Sequence, residues 1–298
     1  MTREFVAERF ARAATVKRNP VREVRTDGDY YYKLDRRGAR SLMREFRTAQ
    51  LLEERHVPVV AHIWCGEIPE GAVLVTRALA DAPTVREYVE RNIPDAEFRR
   101  RFAEFVRDFL ATDLDHVDMH IGNILYSTRD KRFVLVDVQG VRRTRRAKLP
   151  YDIARAPLEL RRELCRAECR EMLEIVGVPD PERFFDRALR IEAAALDRAW
   201  PKRRRQILSG YPKFTRLEGS KIVAAAATPE ELEKLEWRPG SEADFVSAFY
   251  WELAELPHER VLVFDREKRE VGIAPPLFPS RLAPEEFAAR RRVLEGRA

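Results

Sequence analysis

The chain has 298 residues, enough for one large or two modest domains, and 45% of them are apolar. Charged residues reach 36%, above the ~25% of typical chains, yet 56 Lys and Arg against 50 Asp and Glu leave a net charge of only +6. No apolar run is long enough to span a membrane, and Arg3, Glu4, Glu8, Arg9 and Arg12 deny the first residues the apolar core of a leader peptide. The three cysteines, Cys65, Cys165 and Cys169, lack the even count and spacing of a disulfide framework, so a reducing, cytoplasmic setting is expected. Cys165 and Cys169 read as packing residues, since no histidine lies near enough in sequence to share a metal with them. The basic residues are clumped, which suits an acidic partner: a phosphorylated molecule, an anionic membrane face or nucleic acid.

In chain order, Val21 to Arg25 and Tyr30 to Leu34 read as strands around a tight turn at Thr26-Asp27-Gly28-Asp29. Gly38 to Glu54 has helical periodicity, with Leu42, Phe46, Ala49 and Leu52 on one stripe and Glu45 among them. A second hairpin spans Ala61 to Ile68 and Ala72 to Thr76. Beyond about residue 80 the pattern turns helical. Asp95 to Ala111 places Phe98, Phe102, Phe105 and Phe109 on one face, with Asp95 as the expected N-cap. Two short strands follow, Ile124 to Tyr126 and Phe133 to Val136, then helices over Asp152 to Val176 and Pro181 to Trp200. In the remainder, Gly219 to Ala226 and Arg260 to Phe264 read as strands, and the chain ends in an Arg-rich helical pattern. A β-rich part with one main helix before a helical part predicts an α+β fold with a cleft.

The informative segment is His116-Val117-Asp118-Met119-His120-Ile121-Gly122-Asn123-Ile124-Leu125, followed by Phe133-Val134-Leu135-Val136-Asp137. A polar loop leaves a Phe-rich helix, presents an Asp and an Asn, and enters a hairpin that ends in a second Asp. Phosphoryl transfer needs such groups: one carboxylate to orient a hydroxyl and take its proton, and hard oxygen ligands for Mg²⁺.

The segment resembles the catalytic loop and metal-binding hairpin of the protein-kinase-like superfamily, in the form found in aminoglycoside and choline phosphotransferases. The resemblance implies a two-lobe fold, with a β-rich N-lobe over residues 1–80, a mostly helical C-lobe over 81–215 and an extension over 216–298 packed on the C-lobe. It implies ATP and Mg²⁺ as cofactors, Asp118 as catalytic base, Asn123 and Asp137 as metal ligands, and His116 and His120 as loop supports. It further implies a strand lysine on the ATP phosphates paired with a helix glutamate. Lys33 and Glu45 fit, because a carboxylate on the apolar face of a helix needs a cation.

The chain departs from that pattern in two places. Thr15-Val16-Lys17-Arg18-Asn19-Pro20 stands where a Gly-rich phosphate loop is usual, with Lys17 or Arg18 as candidate substitutes. Asp137-Val138-Gln139-Gly140 replaces Asp-Phe-Gly, and no Ala-Pro-Glu motif follows, which argues against a regulated protein kinase. Arg142, Arg143, Arg145, Arg146 and Lys148 would border the acceptor, where arginines grip phosphate or carboxylate.

The hairpin through Tyr30-Tyr31-Tyr32-Lys33-Leu34, the Val57-Pro58-Val59 link, Tyr151-Asp152-Ile153-Ala154-Arg155 and the stretch from Lys202 to Thr215 look like the lipopolysaccharide core sugar kinases (Kdo and heptose kinases). That likeness implies an acidic sugar or glycolipid acceptor and a cytoplasmic enzyme peripheral to an anionic inner membrane. The alternatives are a small-molecule kinase of the aminoglycoside or choline type and a pseudokinase binding module. Nucleic acid is disfavoured, since no aromatics are interleaved with the Arg runs.

Overall fold

The computed structural model describes residues 1–143, 151–253 and 259–275. The chain divides into two compact units, Met1–Pro157 with Ile175–Gly177, and Leu158–Glu174 with Val178–Ala298. The first unit opens with α1 (Arg3–Arg12), then β1 (Ala14–Arg18), β2 (Arg22–Thr26), β3 (Tyr30–Asp35), α2 (Arg40–Glu54), β4 (His62–Ile68) and β5 (Gly71–Arg77). The five strands form one antiparallel sheet in the order β1-β2-β3-β5-β4.

Strand periodicity sorts the side chains of this sheet onto two faces. On the outer face Tyr32, Leu34, Ile68, Val73 and Val75 are buried under Val6, Phe10 and Ala13 of α1. Sequence reading assigned no element to the first twelve residues; the i, i+4 pair Val6 and Phe10 was its only apolar signal. On the inner face Leu42 of α2 packs on Ala72 and Leu74, with Phe46 and Cys65 alongside. The cross-strand row Lys17, Val24, Lys33, Leu74 and Cys65 belongs to this inner face.

The unit continues with α3 (Val85–Val89), α4 (Ala96–Leu110), β6 (Leu114–His116), β7 (Ile124–Ser127), β8 (Arg132–Leu135), β9 (Val141–Arg143) and α5 (Tyr151–Ala154). Asp95 caps α4, its Oδ1 accepting from the Phe98 N–H at 2.7 Å. Phe98 lies between Tyr88, Tyr126 and Phe133, with ring centroids 4.8 to 5.1 Å apart. This aromatic cluster binds α4 to the β7–β8 hairpin, each ring pair adding ~0.5–1.5 kcal/mol beyond its buried area.

The helix expected over Asp152 to Val176 is instead three pieces: α5, a 3₁₀ stretch Ala156–Glu163, and α6 (Arg166–Val176). Pro157 explains the first break, because the residue before a proline is driven out of the helical region. In the second unit α7 (Pro181–Leu208) runs past Trp200 through Pro201, and is followed by β10 (Thr215–Glu218), β11 (Lys221–Ala224), α8 (Pro229–Glu233), β12 (Glu236–Pro239), α9 (Glu242–Leu253), β13 (Arg260–Asp265) and β14 (Glu270–Ala274). The strands form a second sheet, β10-β11-β13-β14-β12, whose core joins Ile207 of α7 to Phe245 of α9, Phe264 and Val271. The Arg-rich helical pattern at the end of the sequence lies outside the described residues.

At the end of β3, Asp35 is buried and accepts from Arg22 Nε at 3.1 Å and from the Arg37 backbone and guanidinium at 3.0 to 3.2 Å. Hydrogen bonds from Arg37, against the cost of burial and with help from Arg22, pull its carboxyl down to about 2. A depressed carboxylate contributes stability above its unfolded value of about 4 and loses it as pH falls towards the folded value. Asp35→Asn is therefore expected to flatten the loss of stability between about pH 4 and pH 2, read by urea denaturation across pH. Parallel acid profiles for the two proteins would contradict the assignment.

Candidate active site

Lys33 sits mid-strand in β3 and reaches across the inner face to α2. Its Nζ donates to Glu45 Oε2 at 2.8 Å and Oε1 at 3.1 Å, and to Asp137 Oδ1 at 3.1 Å. Glu45 is 3% exposed, so its charged state depends chiefly on this ammonium. Burial pushes the Glu45 carboxyl above its ordinary value, and Lys33 offsets this only in part. Burial also opposes the Lys33 charge, but Glu45 and Asp137 outweigh it and raise the ammonium.

Asp137 follows β8 in the left-handed region, at φ 50° and ψ 58°. Asp tolerates this conformation better than most non-glycine residues, and here it turns the carboxylate towards Lys33 just before the short 3₁₀ turn Val138–Gly140. Two backbone ladders hold the neighbouring loop. β6 pairs with β9, and β7 with β8. The Val136 N–H donates to the Asn123 carbonyl at 3.0 Å, so Asn123 is fixed one residue from Asp137.

Within the loop the Asp118 side chain is 72% exposed. Its carbonyl accepts from Asn123 Nδ2 at 3.1 Å, which leaves Asn123 Oδ1 as the amide's unused acceptor. The Asp118 N–H donates to His116 Nδ1 at 3.2 Å, so neutral His116 carries its proton on Nε2. His116 is fully buried, burial lowers its pKa, and its Nε2 has no hydrogen-bond partner among the described residues. His120 Nδ1 accepts from the Gly122 N–H at 3.0 Å, and its Nε2 lies 3.8 Å from Asp118 Oδ1. A Cβ at position 122 would come within 2.9 Å of the His120 ring, which accounts for glycine there.

The β1–β2 connection is a short turn. Asn19 Oδ1 accepts from the N–H groups of Val21 and Arg22 at 2.9 and 2.7 Å, so these amides are satisfied within the turn. Of the two candidate substitutes, Arg18 lies on the outer face, 3.7 Å from buried Glu23, while Lys17 shares the inner face with Lys33. Arg142 and Arg143 are exposed on β9, and Arg142 Nη2 donates to Asp115 Oδ2 at 3.3 Å. Arg145 lies outside the described residues, as do Arg146 and Lys148. Sequence reading did not single out His62 on β4. Its Nδ1 hydrogen-bonds the Val60 carbonyl at 2.8 Å, while Nε2 is buried without a hydrogen-bond partner among the described residues. Its sequence signal is weak, one polar ring at the head of a strand that also carries Glu67.

Asn123 and Asp137 carry hard oxygen donors, the kind a magnesium site needs, on backbone joined by the Val136 to Asn123 bond. Among the described residues no three His, Cys, Asp or Glu cluster into a closed metal cage. An Asn and an Asp suffice for Mg²⁺, which keeps water and substrate phosphate as its other ligands.

A five-stranded antiparallel sheet with one helix on its inner face, followed by a helix and two short β-ladders around a polar loop, is the α+β arrangement expected from the sequence. Residues 23–155 match the model of the Lipopolysaccharide kinase (Kdo/WaaP) family, and this segment contains Lys33, Glu45, Asp118, Asn123 and Asp137. The matched segment is under half of the 298 residues. Among solved structures, the co-crystal structure of WbdD and the kinase inhibitor LY294002 is similar at 16% identity and a TM-score of 0.38, over 54% of this chain and 43% of that one. The chain thus spans less than half the length of that protein. No curated protein matches the chain. Among the described residues no helix is long and apolar enough to cross a membrane.

A carboxyl whose folded pKa is raised favours the fold below its unfolded value, about 4.3 for Glu, and costs stability as pH rises through the folded value. Removing its cation raises Glu45 further. Lys33→Met is expected to cost roughly 3 kcal/mol at pH 8 and clearly less at pH 5, read by urea denaturation at both. An equal loss at the two pH values would count against a buried Glu45 dependent on Lys33.

Proposed function

We propose that the chain is an ATP- and Mg²⁺-dependent phosphotransferase acting on a hydroxyl of a sugar in the lipopolysaccharide core or a similar acidic envelope glycolipid. The observation that carries this reading is the Lys33–Glu45–Asp137 cluster beside the loop that bears Asp118 and Asn123. A purely structural salt bridge would not require Asp118 to stand open to solvent next to it.

Asp118 orients the acceptor hydroxyl and takes its proton as the oxygen attacks the γ-phosphorus of ATP. His116 and His120 are positioning residues, the first through the Asp118 N–H and the second through its carboxylate. Asn123 Oδ1 and Asp137 would hold magnesium, which when bound neutralises charge on the phosphates. Lys33, aimed by Glu45, binds the phosphates. Lys17, two strands away on the same face, supplies a second cation where other kinases use glycine-rich backbone. Arg143, with Arg142 beside it, faces acidic groups of the acceptor, in keeping with guanidinium affinity for phosphate and carboxylate. An acceptor anchored in lipid puts the reaction at the cytoplasmic surface of an anionic inner membrane, which basic surface residues favour.

Asp118→Asn is expected to lower turnover by about 10²- to 10⁴-fold while ATP-analogue affinity stays within about twofold. Transfer from radiolabelled ATP to lipid-linked core sugars, free sugars and aminoglycosides provides the assay. Undiminished transfer would remove Asp118 from the role of base. Lys17→Ala is expected to raise the ATP KM about tenfold, the loss of one charge-assisted contact, with the acceptor KM little changed. An unaltered ATP KM would leave Lys17 as a solvated surface charge.

A further inference from the structure

On the side of α2 turned away from Glu45, the helix borders a cleft of about 920 Å³. Arg40, Arg44 and Arg47 fall at i, i+4 and i+7 and so form a single stripe along it. Met43 and Leu51 supply apolar lining, and Asp35 and Arg37 close one end. All three arginines of the stripe are exposed.

Several helical arginines elsewhere in this chain meet a carboxylate one turn away: Arg12–Glu8, Arg100–Glu104, Arg101–Glu97 and Arg170–Glu174. Arg40, Arg44 and Arg47 have no ion pair among the described residues. The acids of their own helix are elsewhere: Glu45 is committed to Lys33, and Glu53 and Glu54 lie at the far end. Asp35, the one acid lining the cleft, is already held by Arg22 and Arg37. Like charges one turn apart destabilise a helix by ~0.2–0.5 kcal/mol per pair. The stripe thus costs the free protein stability and concentrates positive charge around a concave surface.

We infer that this cleft is a second anion site, which binds a phosphate-bearing group through Arg40, Arg44 and Arg47. Guanidinium groups match phosphate oxygens in bidentate geometry and remain charged at all physiological pH values. Three of them on one rigid helix hold their spacing without loop ordering. The phosphate can come from a soluble anion or from a lipid headgroup, since both present the same oxygens. The stripe is separate from the kinase chemistry: on α2, Arg40, Arg44 and Arg47 lie away from the side that bears Glu45.

The full chain and the Arg40→Ala/Arg44→Ala/Arg47→Ala variant are compared for binding of inorganic pyrophosphate by calorimetry, and of phosphatidylglycerol and phosphatidylcholine vesicles by sedimentation. The parent is expected to bind pyrophosphate, phosphatidylglycerol vesicles or both, and the variant to bind about tenfold more weakly or worse, as loss of charge-assisted contacts demands. Binding of pyrophosphate marks a soluble ligand; binding of the anionic vesicles alone marks a headgroup. Equal binding by parent and variant, equal binding of the uncharged vesicles, or no binding of either anionic probe overturns the site. Arg44→Glu, a single exposed change, serves as a second variant and is expected to weaken the same binding severalfold. Pyrophosphate held near Lys33 persists in parent and variants alike. The assay reads binding and not turnover, so failure of the kinase reading leaves this result intact.

Discussion

One ammonium group ties together three parts of the chain that are far apart in sequence. Lys33 belongs to a strand, Glu45 to a helix and Asp137 to the turn after a hairpin, and the last is 104 residues from the first. Each partner is poorly placed alone. Glu45 is buried on an apolar helix face, and Asp137 is in a backbone conformation that costs energy outside glycine. The lysine gives both a reason to be where they are. Sheet, helix and loop are therefore positioned by the same contact that defines the chemistry of the site.

The loop bearing Asp118 is held differently, almost entirely by backbone. Paired ladders on either side fix its ends, and the Val136 to Asn123 bond fixes its depth. Side chains then set the finer geometry, with His116 on the Asp118 amide and His120 on its carboxylate. The result is a rigid frame around one exposed carboxylate.

Much of this was legible in the sequence, for identifiable reasons. The hairpins at β2–β3 and β4–β5, the helix with Glu45 and the capped α4 announce themselves through periodicity, turn residues and Asp95. The loop segment stands out in the sequence because His116, Asp118, His120 and Asn123 fall in register between a helix and a hairpin. What escaped had weaker local signals. The α1 helix is short and highly charged, and its burial depends on a sheet face that no local pattern foretells. The break around Pro157 was read as continuous helix because apolar periodicity persists across it. Which of Lys17 and Arg18 shares the face of Lys33 turns on strand register, which a sequence leaves open until the pairing is known. The basic stripe on α2 was hidden by the high overall charge, where three more arginines draw no notice.

The burial of α1 under the first sheet sets an order on how this half of the molecule can form. Phe10 and Val6 are made before Val73 and Val75, which cover them and follow roughly sixty residues later, a separation that slows folding. Until β5 has been made and has slotted between β3 and β4, the helix has an apolar side and nothing to lay it on. The nascent chain must carry that exposed surface through the making of four strands, which makes this half a natural client for holding chaperones.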